Sequence, residues 1–144
     1  MDKFIGTKLI NAEPAIATED DKRGLYPVGS DGYRVVYEDG YSSWSPKSVF
    51  DEAYRATDGM SFGLAVEALK KGLKVARQGW NGANMFAYLV PANSYPAQTE
   101  AAKSAFDGLV PYRAYLALKT AQGDVATWAP SCSDALADDW MIVE

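Results

Sequence analysis

Apolar and polar positions divide the chain into two stretches that meet at Ala56-Thr57-Asp58-Gly59. In the first, Phe4-Ile5-Gly6-Thr7-Lys8-Leu9-Ile10 reads as a short strand. Residues 13–31, rich in Pro, Gly, Asp and Glu, read as loop. Tyr33 to Tyr37 and Tyr41 to Trp44 alternate as strands around Asp39-Gly40, the pair that a two-residue hairpin turn prefers. Ser45-Pro46 then predicts a helix start, with Ser45 as cap and Pro46 at the first helical position. Val49, Phe50, Ala53 and Tyr54 make the apolar face of that helix.

The second stretch opens with another helix. Ser61 is its expected cap, Phe62, Ala65, Val66 and Leu69 share a side, and Gly72 closes it in the left-handed conformation. Strands are expected at Leu73–Arg77, Met85–Val90, Tyr112–Lys119, Val125–Trp128 and Trp140–Val143. Residues 91–111, with Pro91, Pro96 and Pro111, read as a long connection holding a short helix over Ala101–Phe106. Near Ser131-Cys132-Ser133-Asp134 two readings stand open. Either Ser131 caps a short turn with Asp134 in a capping box, or Ser133 is the cap. The expected fold class is α+β, a mainly antiparallel sheet packed with one principal helix per module. Residues 1–56 read as a small strand–hairpin–helix module and residues 60–144 as a second domain with one helix against about five strands.

Composition narrows the chemistry. A chain of 144 residues with 48% hydrophobic content can build a real core. Its apolar runs fall far short of the roughly 20 residues that span a bilayer. Asp2 and Lys3 open the chain without a basic, apolar leader, so a soluble cytosolic protein is expected. The net charge of -5 argues against broad binding to duplex nucleic acid, which depends on neutralising phosphates. The chain has no His and a single Cys, Cys132, which excludes Ser-His-Asp chemistry and the ordinary zinc sites. No cofactor and no metal ion are expected, and no P-loop or dinucleotide fingerprint is present.

What remains points to binding. Trp80 and Trp128 sit beside Asn, Gly and Pro instead of in apolar runs, a placement that suits a flat surface for a base. Either ring can equally plug the sheet or fill a subunit interface. Asn81 offers a donor and an acceptor to a base or ribose edge, or shapes its own turn. Arg77 and, less so, Lys119 are cations at strand ends that suit a pyrophosphate or an acidic surface. Ser131, Ser133 and Asp134 can meet phosphate and ribose groups, although helix capping explains Ser131 and Asp134 with no ligand. Asp134 and Asp138 would make a hydrolytic carboxylate pair if the helical turn ran through both. Trp140, alternating with Ile142, reads as core.

Residues 60–144 resemble the phage-encoded Thoeris anti-defence sponge family. The likeness runs through Met60-Ser61-Phe62-Gly63, Lys71 to Arg77, Trp80-Asn81-Gly82, Lys119 to Gly123, Trp128, Ser131, Ser133 to Ala137 and Asp139-Trp140. Where the family usually carries Ser-Gln-Thr-Asp, this chain has Ser131-Cys132-Ser133-Asp134. The resemblance implies a non-enzymatic protein that sequesters a cyclic ADP-ribose-type immune signal made from NAD by a TIR-domain enzyme. Some related sponges capture cyclic oligonucleotides. It further implies a homo-oligomer, commonly a tetramer, with pockets between subunits, acting in the cytoplasm of an infected bacterial host. Arg77, Trp80, Asn81, Trp128, Ser131, Ser133 and Asp134 are the candidate ligand-binding residues. The first module, through Gly32-Tyr33, Asp39-Gly40-Tyr41 and Trp44-Ser45-Pro46-Lys47, resembles a small domain found ahead of this one in other phage proteins. Two other expectations compete with the sponge: a phage interaction or assembly module with no small ligand, and a carboxylate-dependent nucleotide hydrolase.

Overall fold

The computed structural model describes residues 1–144, which fall into two compact units, Met1–Arg55 and Ala56–Glu144. The first unit is a three-stranded antiparallel sheet in the order β1 (Asn11–Ile16), β2 (Asp31–Val36), β3 (Ser42–Pro46), followed by helix α1 (Lys47–Ala53). Residues 1–10 form no element, so the strand expected at 4–10 is absent and the real one begins at Asn11 and runs into the stretch read as loop. The reason is partnership. Phe4 and Ile5 are 93% and 95% exposed, whereas Asn11 to Ile16 pair residue for residue with Val36 to Asp31. Pro14 is tolerated because β1 is an edge strand.

The β2–β3 turn also differs from expectation. Tyr37 and Tyr41 close it by a 2.9 Å backbone bond, leaving Glu38, Asp39 and Gly40 as a three-residue loop with Gly40 at φ 85°. That is the loop in which a left-handed glycine follows a type I turn, and Gly40 supplies it without steric cost. Sheet pairing likewise overrides the expected helix cap. Ser45 and Pro46 pair with Tyr33 and Gly32, so α1 starts at Lys47 with no side-chain cap. Gly32 is required there, because a Cβ would run into the Ser45 carbonyl and the Trp44 ring. Phe50 stacks between Tyr33 and Tyr54, at 4.1 and 4.9 Å between ring centres, which fixes α1 on the sheet.

The second unit holds a five-stranded antiparallel sheet. Its strands are β4 (Lys74–Arg77), β5 (Phe86–Val90), β8 (Tyr115–Lys119), β9 (Val125–Thr127) and β10 (Trp140–Val143), in the order β10-β4-β5-β8-β9. Helix α2 (Phe62–Lys70) is capped by Ser61, whose hydroxyl accepts from the Leu64 N–H, and is closed at Gly72, φ 83°. The segment 91–111 is more ordered than a long connection. Strands β6 (Asn93–Pro96) and β7 (Leu109–Tyr112) pair as a separate antiparallel ribbon around α3 (Glu100–Ala105). Its prolines disguise it in sequence, yet a two-stranded ribbon has only edges, where a missing N–H is tolerated. A further short helix, α4 (Cys132–Ala135), precedes β10, so the second unit carries several helices, α2, α3 and α4, and the description as one principal helix per module is too simple. No helix in the chain is long and apolar enough to cross a membrane.

Register decides which side chains meet. Arg77 lies opposite Trp140, Val75 opposite Ile142 and Ala87, and Ala87 opposite Leu118. Paired residues share a face, and alternate residues along a strand return to it. Arg77, Val75, Trp140, Ile142 and Leu116 therefore point to one side. There Val75, Trp140, Ile142 and Leu116 join Ala65, Ala68 and Leu69 of α2, with Met60, Phe62, Trp80 and Trp128, in one core cluster. Lys119, adjacent to Leu118, points to the other face and donates to the Asn84 carbonyl at 3.1 Å.

Candidate functional site

The sequence separates Arg77, Trp80, Trp128, Ser131 and Asp134, but the fold brings them to one end of the sheet. Asp134 is the hub. Ser131 caps α4, its hydroxyl accepting from the Asp134 N–H, and Asp134 Oδ2 accepts from the Ser131 N–H, both at 3.0 Å. This settles the open question of the cap in favour of Ser131. Asp134 Oδ1 accepts from Arg77 Nη1 at 3.0 Å and from Trp80 Nε1 at 3.3 Å. The Asp134 carbonyl accepts from Trp140 Nε1 at 2.8 Å. One residue thereby ties α4, β4, β10 and the β4–β5 loop together.

Arg77 is shared between two carboxylates. Its Nε donates to Asp139 Oδ1 at 2.8 Å, and Asp139 Oδ2 accepts from the Gly79 N–H at 2.9 Å. The guanidinium, which the sequence offers either to a pyrophosphate or to acidic groups, is engaged by carboxylates within the chain, with its side chain only 21% exposed. Trp80, Trp128 and Trp140 meet edge to face at 5.4 to 6.0 Å between centres, and Phe62 touches Trp128 and Trp140. Trp140 is fully buried, while Trp80 and Trp128 are half-buried. Asn81, in the β4–β5 loop, and Ser133, on α4, are exposed and stand outside this network.

The electrostatics follow from the bonds. Burial pushes the Asp134 carboxyl up, but the Ser131 N–H, Arg77 and Trp80 outweigh it and hold it below the usual carboxylate range. The hydrogen bond from Arg77 does the same for Asp139, helped by the Gly79 N–H. The two carboxylates in turn raise Arg77. The unfolded chain therefore binds protons that the folded one has released. Stability from this network is complete above about pH 4 and is lost as pH falls through the depressed folded values. Thermal unfolding of the second unit should show a falling midpoint on acidification below about pH 4, and Arg77→Met should flatten that slope. An acid slope unchanged by Arg77→Met would show that the network does not set it.

Asp139 joins this network although the sequence gives it no site role, and Trp140, the core residue its alternation predicts, also donates to the Asp134 carbonyl. The Arg77–Asp139 contact spans 62 residues, beyond any local pattern. The nearest available signal was the strand pairing itself, since a β4–β10 ladder places residues 77 and 139–140 side by side. Asp138 is exposed, and α4 ends at Ala135, so Asp134 and Asp138 do not share a helical face as a hydrolytic pair would need. In the first unit a shallow depression of about 360 Å³ is lined by Pro14, Ile16, Tyr33 and Lys47, whose ammonium is already held by Asp51.

An antiparallel sheet with α2 on one face, and an aromatic and acidic knot at one end, defines a small α+β domain. The model of the Thoeris anti-defense 2-like domain matches residues 60–143. Thoeris anti-defense 2 of Bacillus phage SP01 is 38% identical over 84 residues, which is 58% of this chain and 94% of the phage protein. The chain therefore belongs to the Thoeris anti-defense 2-like family.

Proposed function

We propose that the second unit sequesters a cyclic ADP-ribose-type signalling nucleotide without breaking a bond, and so keeps a bacterial Thoeris effector inactive. The observation that carries this reading is family membership over residues 60–143, with a relative whose name is Thoeris anti-defense 2. The geometry supports it. Two half-buried tryptophans, Trp80 and Trp128, stand together, and the exposed polar groups of Asn81 and Ser133 lie in neighbouring segments of the sequence pattern. A base stacks on an indole, and short polar groups read ribose and phosphate edges. Arg77 and Asp134 shape the site through their mutual bonds.

The same reading has the protein working as a homo-oligomer in the cytoplasm of an infected host, with two chains lining each pocket. Exposed apolar side chains on the β6–β7 ribbon support it. Tyr95 and Tyr112, each 49% exposed, lie 5.9 Å apart between ring centres, an aromatic pair that a lone subunit leaves partly in water.

The deciding experiment incubates the full chain, in excess, with TIR-derived cyclic ADP-ribose isomers, then denatures it by heat and analyses the released molecules. Depletion followed by recovery of intact ligand is the expected result. A changed mass would make the protein an enzyme, and ligand left free throughout would remove this ligand class. Trp80→Ala should weaken binding roughly tenfold to a hundredfold by calorimetry, as loss of one stacking platform implies. Asn81→Ala should act in the same direction. Full affinity in both variants would overturn the site assignment.

A further inference from the structure

We infer that Asp139 is a positioning residue for ligand capture, a clamp that fixes Trp80 through the backbone of the loop before it. This rests on the sponge reading above and deepens it. Trp80 is the third residue of the β4–β5 loop, and one local turn bond, from its own N–H to the Arg77 carbonyl at 3.3 Å, helps set its path. The other bonds come from outside the loop. Asp139 Oδ2 accepts from the Gly79 N–H at 2.9 Å, one residue before Trp80. Asp139 Oδ1 accepts from Arg77 Nε at 2.8 Å, two residues earlier still. The Gln78 N–H donates to the Asp139 carbonyl at 3.2 Å. Residues 77, 78 and 79 are thus all bonded to Asp139, and the next residue is the indole.

The far end of that indole is held by a different group, Asp134 Oδ1 at 3.3 Å from Nε1. Arg77 joins the two anchors, because its Nη1 bonds the same Asp134 oxygen at 3.0 Å. The ring is therefore located at its backbone end by Asp139 and at its nitrogen by Asp134, with Arg77 between. Space is tight on the backbone side. A Cβ placed on Gly79 would lie 3.1 Å from Asp139 Oδ2, so a larger residue there would press the carboxylate back by a few tenths of an ångström. A ring already held loses little freedom when a base stacks on it, which is how preorganisation raises affinity.

Asp139→Asn keeps the size of the side chain but replaces one acceptor oxygen by a donor, so Arg77 and Gly79 cannot both be served. Gly79→Ala crowds the same carboxylate and leaves every charge in place. Each variant, as full chain, is compared with wild type by calorimetric titration with TIR-derived cyclic ADP-ribose isomers, well below its unfolding midpoint. Near-ultraviolet circular dichroism without ligand is recorded alongside, because the edge-to-face contacts of Trp80 with Trp128 and Trp140 give an aromatic signature that follows Trp80. The expected result is an altered aromatic spectrum and affinity weaker by about tenfold in both variants. A folded Asp139→Asn protein with unchanged affinity overturns the inference, whatever its spectrum. If that variant does not fold, Gly79→Ala decides by the same criterion. Should the wild type bind none of these isomers, the sponge reading falls and the ligand part of the inference with it. The spectral change then still tests whether Asp139 holds Trp80.

Discussion

Trp140→Ala is expected to cost the second unit about 3–5 kcal/mol, the range for truncating a large buried aromatic. The ring is fully buried and belongs to the core cluster with Ala65, Leu69, Val75 and Ala87. It makes edge contacts with Trp80 and Trp128 at 5.4 and 5.9 Å and lies 5.5 Å from Phe62, so its removal opens a cavity that several rigid rings border. Rigid neighbours collapse poorly, which places the cost toward the upper end. The Asp134 carbonyl also loses its 2.8 Å donor. A domain of this size is stable by roughly 5–15 kcal/mol, so the variant should lose much of its margin. Urea unfolding followed by the aromatic signal measures it, and a loss below about 1 kcal/mol would show that the cluster does not hold the sheet. Trp140→Phe should lose less, because it refills part of the space.

The second large effect falls on Asp134. Asp134→Ala removes one of the two capping-box bonds, the other being made by its backbone N–H, and leaves Ser131 N–H and Trp80 Nε1 without their acceptor. It also releases one of the two carboxylates that hold Arg77. An orphaned donor in a half-buried setting costs more than the bond contributed, so a loss of roughly 2–3 kcal/mol is expected. Under the sponge reading, ligand affinity should fall further than in Asp139→Asn, because the Trp80 nitrogen loses its acceptor outright and Arg77 loses one of its two carboxylates. Asp134→Asn retains an acceptor for either Arg77 or the cap and should be intermediate in stability. Thermal unfolding and calorimetric titration of the same samples separate the two effects. Equal stability of Asp134→Ala and wild type would show that Asp134 is not the hub its bonds describe.

Elements marked by local chemistry were the ones legible in sequence. Ser61 and Gly72 bracket α2 because a hydroxyl cap and a left-handed glycine act within a few residues. The five strands of the second sheet carry their own apolar alternation, although Tyr112 to Lys119 proved to be two strands with Arg113 and Ala114 between them. Position 45 misled because a good cap residue was more useful as a sheet partner of Tyr33. The apolar segment Phe4 to Leu9 misled for the converse reason, since its alternation meets no partner strand. At the site, residue types were readable and their pairing was not. Trp80, Trp128, Ser131 and Asp134 stood out by composition, but the use of Arg77 inside the chain depends on carboxylates 57 and 62 residues away. Only tertiary pairing brings those groups together.

The outer edge of β10 is occupied by its own chain. Met60 and Trp140 exchange backbone bonds at 2.8 and 3.1 Å, and the Ile142 N–H donates to the Thr57 carbonyl at 2.8 Å. The family match begins at Met60, three residues inside this cover. A domain excised at Met60 would carry a raw selvedge, with the Ile142 amide free to zip onto a strand of another molecule. Excision between Arg55 and Ala56 keeps the hem sewn. Any chimera that moves this domain onto a new carrier inherits the same rule, and the join belongs upstream of Thr57.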